Sequence, residues 1–254
     1  MRVLSGVEVT GYDVQGGRVR AVLTSRGRIA CDLVVWGLGT WTPKHWAMLG
    51  RPSSVDCRYP DGTTVTIEFK PITAIMGSSF YIEEPDQTRG LRIDLAAALP
   101  SGKSIMATSL PVGKGVKVTG TLAGSGNERH LSQATILNAV DDNAPLPLLL
   151  RSTALGGAAP DQYTSGIAGA SGPYSIGLLV RVLGKVVSHT TGSFVIDDGS
   201  FLKDSSGTRI KVTTRVYSTV AVSDGALVRA TGVCGVESGV CVLRTRTPDD
   251  VMIY

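Results

Sequence analysis

Two pairs of neighbouring acidic residues are the first positions in this sequence whose types suit chemistry. Glu83-Glu84 and Asp197-Asp198 each follow an apolar stretch that alternates like a strand. Two carboxyl groups can cleave a glycosidic bond when they lie on either side of it. Neighbouring residues of a strand point to opposite faces, however, so neither pair can act together on one bond. We therefore predict that both pairs accept backbone N–H bonds from the turns that follow them.

Three other patterns match catalytic or nucleotide-binding motifs only in part. Residues 97–104 fit a loose phosphate-loop pattern, but Pro111 leaves no room for the helix that such a loop requires. Ser171 imitates a nucleophile elbow, although Pro173 replaces its last glycine. The three histidines lie far apart, and the four cysteines lack the spacing of a zinc site. We predict no catalytic residue and no metal in this chain.

The composition of the 254 residues favours an all-β fold. Hydrophobic residues make up 43% of the chain and charged residues 18%, which suits a protein with a core rather than a disordered chain. The 31 glycines and 12 prolines favour short strands joined by turns. No apolar run has the length of a membrane span, and the first ten residues lack a signal peptide's apolar stretch. The net charge of +4 does not by itself indicate a partner.

Three short motifs occur twice in the same order. Ser-Phe-x-Ile followed by two acids occurs at 79–84 and 193–198, and Gly-x-Arg-Ile occurs at 90–93 and 207–210. A third motif ends at Gly120 and again at Gly232. Measured at Phe80, Arg92 and Gly120, the offsets to the second copies are 114, 117 and 112 residues. This spacing predicts two copies of one domain.

Each predicted copy contains five strands, of which the first is long. In the second copy, apolar and polar residues alternate along the first strand, and the fifth strand runs through Val242. Five strands with a long first one predict a small closed barrel. We assign the first barrel to 59–140, the second to 175–254, and a linker rich in Pro, Gly and Ser to 141–174. The apolar residues 148–150 of the linker should pack on a barrel.

This strand pattern resembles the OB-fold, a five-stranded Greek-key barrel. The sequence that carries the resemblance is Gly184-Lys185-Val186-Val187 followed by the turn sequence Val195-Ile196-Asp197-Asp198-Gly199-Ser200. The first copy departs from it, with Glu83-Glu84-Pro85-Asp86 at the turn. The resemblance implies single-stranded nucleic acid or carbohydrate as a partner, bound by aromatic and basic side chains.

The same resemblance, combined with strand alternation, selects candidate ligand-binding residues. Phe80 and Phe194 share a face with Ile82 and Ile196, so we predict that both rings lie in cores and that Tyr81 is exposed. Residues 175–246 carry a net charge of +4, whereas 59–137 are neutral. Electrostatic binding should therefore favour the second copy. The cations that we predict to bind a ligand there are Arg181, Lys185, Arg209, Lys211, Arg229 and Arg244.

Residues 1–50 differ from the rest and are predicted to form a β-meander, with strands at 7–10, 18–24 and 33–36. The stretch 17–39 resembles part of the FAD-binding domain of flavin-dependent oxidoreductases, with Cys31-Asp32 and Gly37-Leu38-Gly39 at the family's Ala-Asp and Ala-Thr-Gly positions. The resemblance implies that Gly37 and Gly39 contact the flavin in an intact parent protein. The family's phosphate-binding glycine loop is missing, so we expect no cofactor in this chain.

Two hypotheses about function follow from these resemblances. In the first, the chain is a non-catalytic tandem OB-like module, for binding or structure, behind the remnant of an FAD-dependent oxidoreductase. In the alternative, it is the C-terminal portion of an active FAD-dependent oxidoreductase whose phosphate-binding half lies outside this chain. The two hypotheses differ on whether the chain takes part in catalysis.

A cysteine pair marks the predicted hairpin between the last two strands of the second copy. A loop centred between Glu237 and Ser238 would place Cys234 directly opposite Cys241. A three-residue loop with a bulge at Gly239 would pair Cys234 with Val242 instead. The two cysteines could form a disulfide, but we expect two small core residues because no export signal is visible.

Overall fold

A computed structural model describes most of the chain as β-strands and turns. The chain divides into two compact units, Met1–Ser54 and Val55–Tyr254. The described residues contain no α-helix, only two single-turn 3₁₀ segments, and the predicted all-β fold class is confirmed. No helix in this part of the chain is long and apolar enough to cross a bilayer. The described residues are 5–15, 18–34, 59–96, 110–124, 128–167, 170, 172–203 and 207–254.

The first unit contains a three-stranded antiparallel meander. Its strands are β1 (Val9–Gln15), β2 (Arg18–Thr24) and β3 (Gly27–Ala30). The predicted strand at 18–24 is confirmed, but the one at 33–36 is wrong in its described half, because Leu33 and Val34 lie outside any strand. The third strand begins earlier because a two-residue turn pairs Thr24 directly with Gly27.

The second unit begins with a closed barrel of five strands. They are β4 (Thr64–Met76), β5 (Ser79–Glu83), β6 (Gly90–Leu95), β7 (Gly115–Ala123) and β8 (His130–Val140), in the order β4-β5-β6-β8-β7. The length of β4 closes the barrel, because its first half pairs with β7 and its second half with β5. Strands β6 and β8 run parallel, and the other neighbours are antiparallel.

Five later strands pair in the same order. They are β10 (Leu179–Thr190), β11 (Ser193–Lys203), β12 (Arg209–Tyr217), β13 (Leu227–Glu237) and β14 (Val240–Arg244). Strand β10 pairs with both β11 and β13, and β12 runs parallel to β14, so the pairings form a ring like that of the first barrel. We call β4–β8 the first barrel and β10–β14 the second barrel. Two short strands extend the sheet, β9 (Leu148–Leu149) beside β10 and β15 (Val251–Ile253) beside β13.

Each barrel has its own apolar core. Phe80 and Phe194 are both fully buried, one in each core, as alternation predicts. Leu155 of the 141–174 segment is buried in the second core, and Leu148 and Leu150 pack against it. This segment therefore covers part of the second barrel rather than extending into solvent.

The β13–β14 hairpin has a different register from either prediction. Glu237 pairs with Val240, and Cys234 lies opposite Leu243, so both predicted partners of Cys234 are wrong. The turn is Ser238-Gly239, where both residues have positive φ (51° and 76°), as a two-residue type I′ turn requires. The shift of two residues keeps both cysteines on the core face, where their Sγ atoms lie 3.3 Å apart as buried free thiols.

Candidate functional site

The two acidic pairs have different roles in the two barrels. Asp197 and Asp198 accept the backbone N–H groups of Gly199 and Ser200, each at 2.9 Å, which confirms the predicted turn capping. The prediction is wrong for the first pair, because Glu83 and Glu84 are buried at the junction of the barrels. Their carboxylates bind other elements, as described next.

Glu83 and Glu84 each bind a group outside the turn that follows them. The Oε2 atom of Glu83 accepts the backbone N–H of Leu179, the first residue of β10, at 2.9 Å. Burial raises the pKa of Glu83 to about 8, although the Leu179 N–H acts in the opposite direction. The carboxylate of Glu84 lies 2.9 Å from Lys70 Nζ in a buried ion pair. The first acidic pair thus links β5 to its neighbours and to the second barrel.

The predicted exposure of Tyr81 is also wrong, since its side chain is only 2% exposed. Its ring packs with Ala74, Leu179 and Val233, two of which belong to the second barrel. Its hydroxyl donates to Glu128 Oε1 at 2.6 Å, and burial together with that carboxylate raises the pKa of Tyr81. Tyr81 does point away from its own core, but the second barrel covers that face.

Glu128 is the centre of a polar cluster between the barrels. In addition to Tyr81, its carboxylate contacts Arg92 Nη1 at 3.5 Å and Arg244 Nη1 at 3.1 Å. Arg244, predicted to bind a ligand, is therefore half-buried in an ion pair within the protein. A Cβ atom at Gly235 would lie 1.6 Å from the Arg244 guanidinium, so this packing requires glycine.

The other predicted cations are divided between two regions of the second barrel. Arg181, Lys185 and Arg229 lie on β10 and β13, where Arg181 Nε donates to Thr231 Oγ1 at 3.0 Å. Lys211 lies on β12 and forms an ion pair with Asp197 at 2.5 Å. Arg209 begins β12, but its side chain lies outside the described residues, as do Gly37 and Gly39 entirely.

A groove of about 490 Å³ lies on the outer side of β11, β12 and β14 in the second barrel. Val195 and Val242 flank Arg215 in the strand register, and together they form the middle of the groove. The hairpin between β13 and β14 forms one wall. The residues that line the groove are Val195, Thr213, Arg215, Tyr217, Glu237, Ser238, Val240 and Val242.

The groove combines a ring, a carboxylate and a cation. The Tyr217 hydroxyl donates to the Glu237 carboxylate, which holds the ring against the hairpin. Arg215 is exposed, and it forms no ion pair within the described part of the chain. Such a surface can stack a planar or ring-shaped ligand on Tyr217 and bind its polar groups through Arg215 and Glu237.

Sequence reasoning missed Arg215, Tyr217 and Glu237 of the groove, although a signal was present for two of them. In Lys211–Tyr217 the core residues are Thr214 and Val216, so alternation places Arg215 and Tyr217 on the outer face. Glu237 could not be found this way, because its position depends on the register of the hairpin. The structure describes no group of three or more His, Cys, Asp or Glu side chains that could hold a metal ion.

The same face of the first barrel contains a different row of residues. There Tyr81 pairs with Arg92, which pairs with His130, whereas in the second barrel Val195 pairs with Arg215, which pairs with Val242. The Tyr81 row is covered by the second barrel. Of these two rows, the one in the second barrel is open to a ligand.

Part of the chain is similar to D-amino acid dehydrogenases. The protein of Sinorhizobium medicae is 35% identical over 83 residues, which are 30% of this chain and 19% of that protein. The one from Agrobacterium fabrum is 35% identical over 75 residues, 27% of this chain and 17% of that protein. D-amino acid dehydrogenase 2 of Mesorhizobium japonicum is 44% identical over 69 residues, 26% of this chain and 16% of that protein.

These similarities cover only a small part of each relative. The chain spans less than a fifth of the length of each of these three dehydrogenases. No protein-family model matches the chain. The similarity to an oxidoreductase is therefore partial.

Proposed function

We propose that this chain joins a remnant of an FAD-binding domain to a non-catalytic binding module of two OB-like barrels. D-amino acid dehydrogenases are oxidoreductases of the FAD-dependent kind that residues 17–39 resemble, and the partial similarity to them supports the first half of the proposal. The alternative, that the chain is the C-terminal portion of an active oxidoreductase, draws on the same similarity. It differs in assigning a catalytic role to the parent protein.

Strand order supports the second half of the proposal. Both barrels join their five strands in the order 1-2-3-5-4, close strand 4 onto strand 1, and pair strands 3 and 5 in parallel. This is the connectivity expected of the five-stranded Greek-key OB barrel. The three repeated sequence motifs lie on strands 2, 3 and 4 of each barrel, as two copies of one domain would have them.

The described residues of the first unit do not by themselves fit FAD. They form the three-stranded meander β1–β3, and this part of the chain includes no helix whose N-terminus could hold a pyrophosphate. The flavin contact of Gly37 and Gly39 stays a prediction for an intact parent protein. We expect the purified chain to lose FAD during gel filtration, and a stoichiometric flavin absorption band in the protein peak would contradict this.

The observation that carries the binding function is the open groove on β11, β12 and the β13–β14 hairpin. OB barrels bind ligands on the face of strands 2 and 3, next to the loop between strands 4 and 5. The groove occupies these elements in the second barrel. We therefore propose the groove as the ligand site of the module.

The charges in the groove favour a short oligosaccharide over a nucleic acid. The Glu237 carboxylate lies beside Tyr217, where it would repel a phosphate but can accept hydrogen bonds from sugar hydroxyls. Single-stranded nucleic acid is the second candidate, because Arg215 and Lys211 lie on the same strand and the second copy is basic. A single described aromatic ring in the groove provides only one stacking platform.

Titration of the purified chain with cellohexaose and with a dT12 oligonucleotide tests this proposal. We expect the hexasaccharide to bind, and Tyr217→Ala to weaken binding by at least about fivefold through loss of stacking. Arg215→Ala should also weaken it. His189→Ala is the control, since His189 is exposed at the far end of β10.

Each possible result bears on the proposed ligand. Binding of dT12 alone, with an affinity that falls steeply as salt rises, would replace the carbohydrate with single-stranded nucleic acid. Binding that Tyr217→Ala and Arg215→Ala leave unchanged would place the site elsewhere. Failure of both probes to bind would overturn the groove as a site for either class.

A further inference from the structure

A second exposed surface of the second barrel mixes apolar and cationic side chains in regular rows. It is the outward side of four neighbouring strands, β9, β10, β13 and β15, and we call it the basic apolar face. One row contains Leu183, Arg229 and Met252, which are paired across β10, β13 and β15. The groove shares only Glu237, the last residue of β13, with these four strands.

Two further rows flank the Leu183 row. Arg181 pairs with Leu149 of β9 on one side of it, and Lys185 pairs with Leu227 on the other. Tyr254 extends the latter row, because its backbone N–H donates to Leu227 O at 2.9 Å. Apolar and cationic side chains therefore alternate both along the strands and across them.

The apolar members of the face are unusually exposed for their size. Leu149 is 70% exposed, Tyr254 63%, Leu183 45%, Met252 43% and Leu227 39%. Single exposed apolar residues are ordinary on a protein surface, but five on one sheet face indicate an interaction surface.

The charges of the face are all of one sign. Its cations are Arg181, Lys185 and Arg229, and the described outward residues of β9, β10, β13 and β15 in these rows include no Asp or Glu. Asp197 of β11 lies directly across from Lys185, at the border of the face. Carboxylates on neighbouring elements are already paired: Asp197 with Lys211, and Asp250 with Arg246. Charge complementarity therefore calls for an anionic occupant.

We propose that the basic apolar face binds the surface of an anionic lipid bilayer. Cations are interspersed with apolar side chains across the whole face, whereas a protein–protein interface concentrates its apolar side chains in a core with a polar rim. At a bilayer surface the arrangement is favourable, because guanidinium and ammonium groups contact lipid headgroups while neighbouring leucines reach the acyl boundary. An acidic protein surface is the competing occupant that the experiment must exclude.

The test is co-sedimentation of the full chain with vesicles of 70% phosphatidylcholine and 30% phosphatidylserine, compared with pure phosphatidylcholine. We expect binding that requires phosphatidylserine and weakens as salt rises. Arg229→Glu should weaken it about tenfold or more, because the reversal removes one attractive charge and adds a repulsive one. Leu183→Ser should weaken it by a smaller factor at every salt concentration.

Arg20→Glu is the matched control, because Arg20 is an exposed strand residue of the first unit and its reversal changes the net charge equally. Circular dichroism of each variant verifies folding. Equal loss of binding in Arg20→Glu and Arg229→Glu would overturn the proposal, since charge alone would then explain it. Failure to bind either vesicle would also overturn it, and binding of soluble poly-L-glutamate in that case would assign the face to an acidic protein.

Discussion

Equivalent faces of the two barrels have different environments in this protein. In the first barrel the row Tyr81, Arg92 and His130 lies at the junction, where Tyr81 is buried beneath the second barrel. In the second barrel the corresponding row lies open and forms the groove. A shared strand order thus builds two equivalent surfaces, and the packing of one barrel on the other leaves the second available to a ligand.

The acidic pair at the end of β5 and the one inside β11 show the same contrast at the level of side chains. The aspartates bind the N–H groups of their own turn, in addition to Lys211 and the Ser152 N–H. The longer glutamate side chains reach other elements instead, Lys70 in one case and Leu179 in the other. The junction therefore replaces a local role with a long-range one.

Among the variants that test this comparison, removal of the Glu128 carboxylate should lower the free energy of unfolding the most. Glu128→Ala leaves Arg92, Arg244 and the Tyr81 hydroxyl without their shared partner, and we expect it to lower the free energy of unfolding by about 4 kcal/mol. Urea denaturation measures the change. Asp141→Asn, which removes an exposed ion pair with Lys114, should leave the free energy of unfolding nearly unchanged. Equal losses in the two variants would show that the junction contributes no special stability.

The buried Glu83 should make stability depend on pH. Its pKa of about 8 in the fold lies above the ordinary value of 4.5, so the folded state retains a proton that the unfolded state releases. The contribution of Glu83 to stability should therefore be greatest below about pH 4.5, fall as pH rises towards 8, and level off above that. At about 1.4 kcal/mol per pKa unit, the total fall in this contribution should be on the order of several kcal/mol.

Glu83→Gln isolates this contribution, because glutamine does not titrate. The unfolding free energies of both proteins should be measured between pH 5 and 9. As pH rises, the variant should become more stable relative to the wild type. Parallel curves would contradict the raised pKa of Glu83. Asp197→Asn serves as the matched control at the equivalent turn, where the Lys211 side chain lowers the pKa of the aspartate.

The hydroxyl groups of Tyr81 and Tyr217 allow the two faces to be compared directly, with smaller expected losses of stability. Tyr81→Phe removes a buried hydrogen bond to Glu128, so we expect it to cost about 2 kcal/mol of unfolding free energy. Tyr217→Phe removes an exposed bond to Glu237 and should cost less than about 0.5 kcal/mol. A double-mutant cycle of Tyr81→Phe with Glu128→Gln should show strong coupling; additive effects would argue against the bond.

The smallest expected effect concerns the turn of the second barrel. Asp198 accepts N–H bonds from Ser200 and, at 2.6 Å, from Ser152 of the 141–174 segment. Asp198→Ala should lower the free energy of unfolding by about 1 kcal/mol, which thermal melts can detect. Asp198→Asn should retain most of the stability, since its amide oxygen can still accept. If Asp198→Asn lost as much stability as Asp198→Ala, the charge of Asp198 rather than its hydrogen bonds would hold the segment in place.

Local patterns in the sequence determined the five strands of each barrel, both core phenylalanines and the N–H contacts of Asp197 and Asp198. Alternation and turn chemistry act over a few residues, so one sequence is enough to show them. The register of the β13–β14 hairpin was not accessible in this way, because it depends on the positive φ angles of Ser238 and Gly239. A shift of two residues leaves every side chain on the same face, and the hydrophobic pattern therefore cannot detect it.

Only the tertiary structure decided which outward residues meet solvent and which meet protein. Tyr81 points away from its core as alternation requires, yet it is buried by Leu179 and Val233, about 100 and 150 residues later in the chain. The groove likewise brings together Arg215 from β12 and Glu237 from the β13–β14 hairpin. Alternation specifies the direction of a side chain, whereas its environment depends on how distant elements pack, and that is set by the shape and burial of whole surfaces.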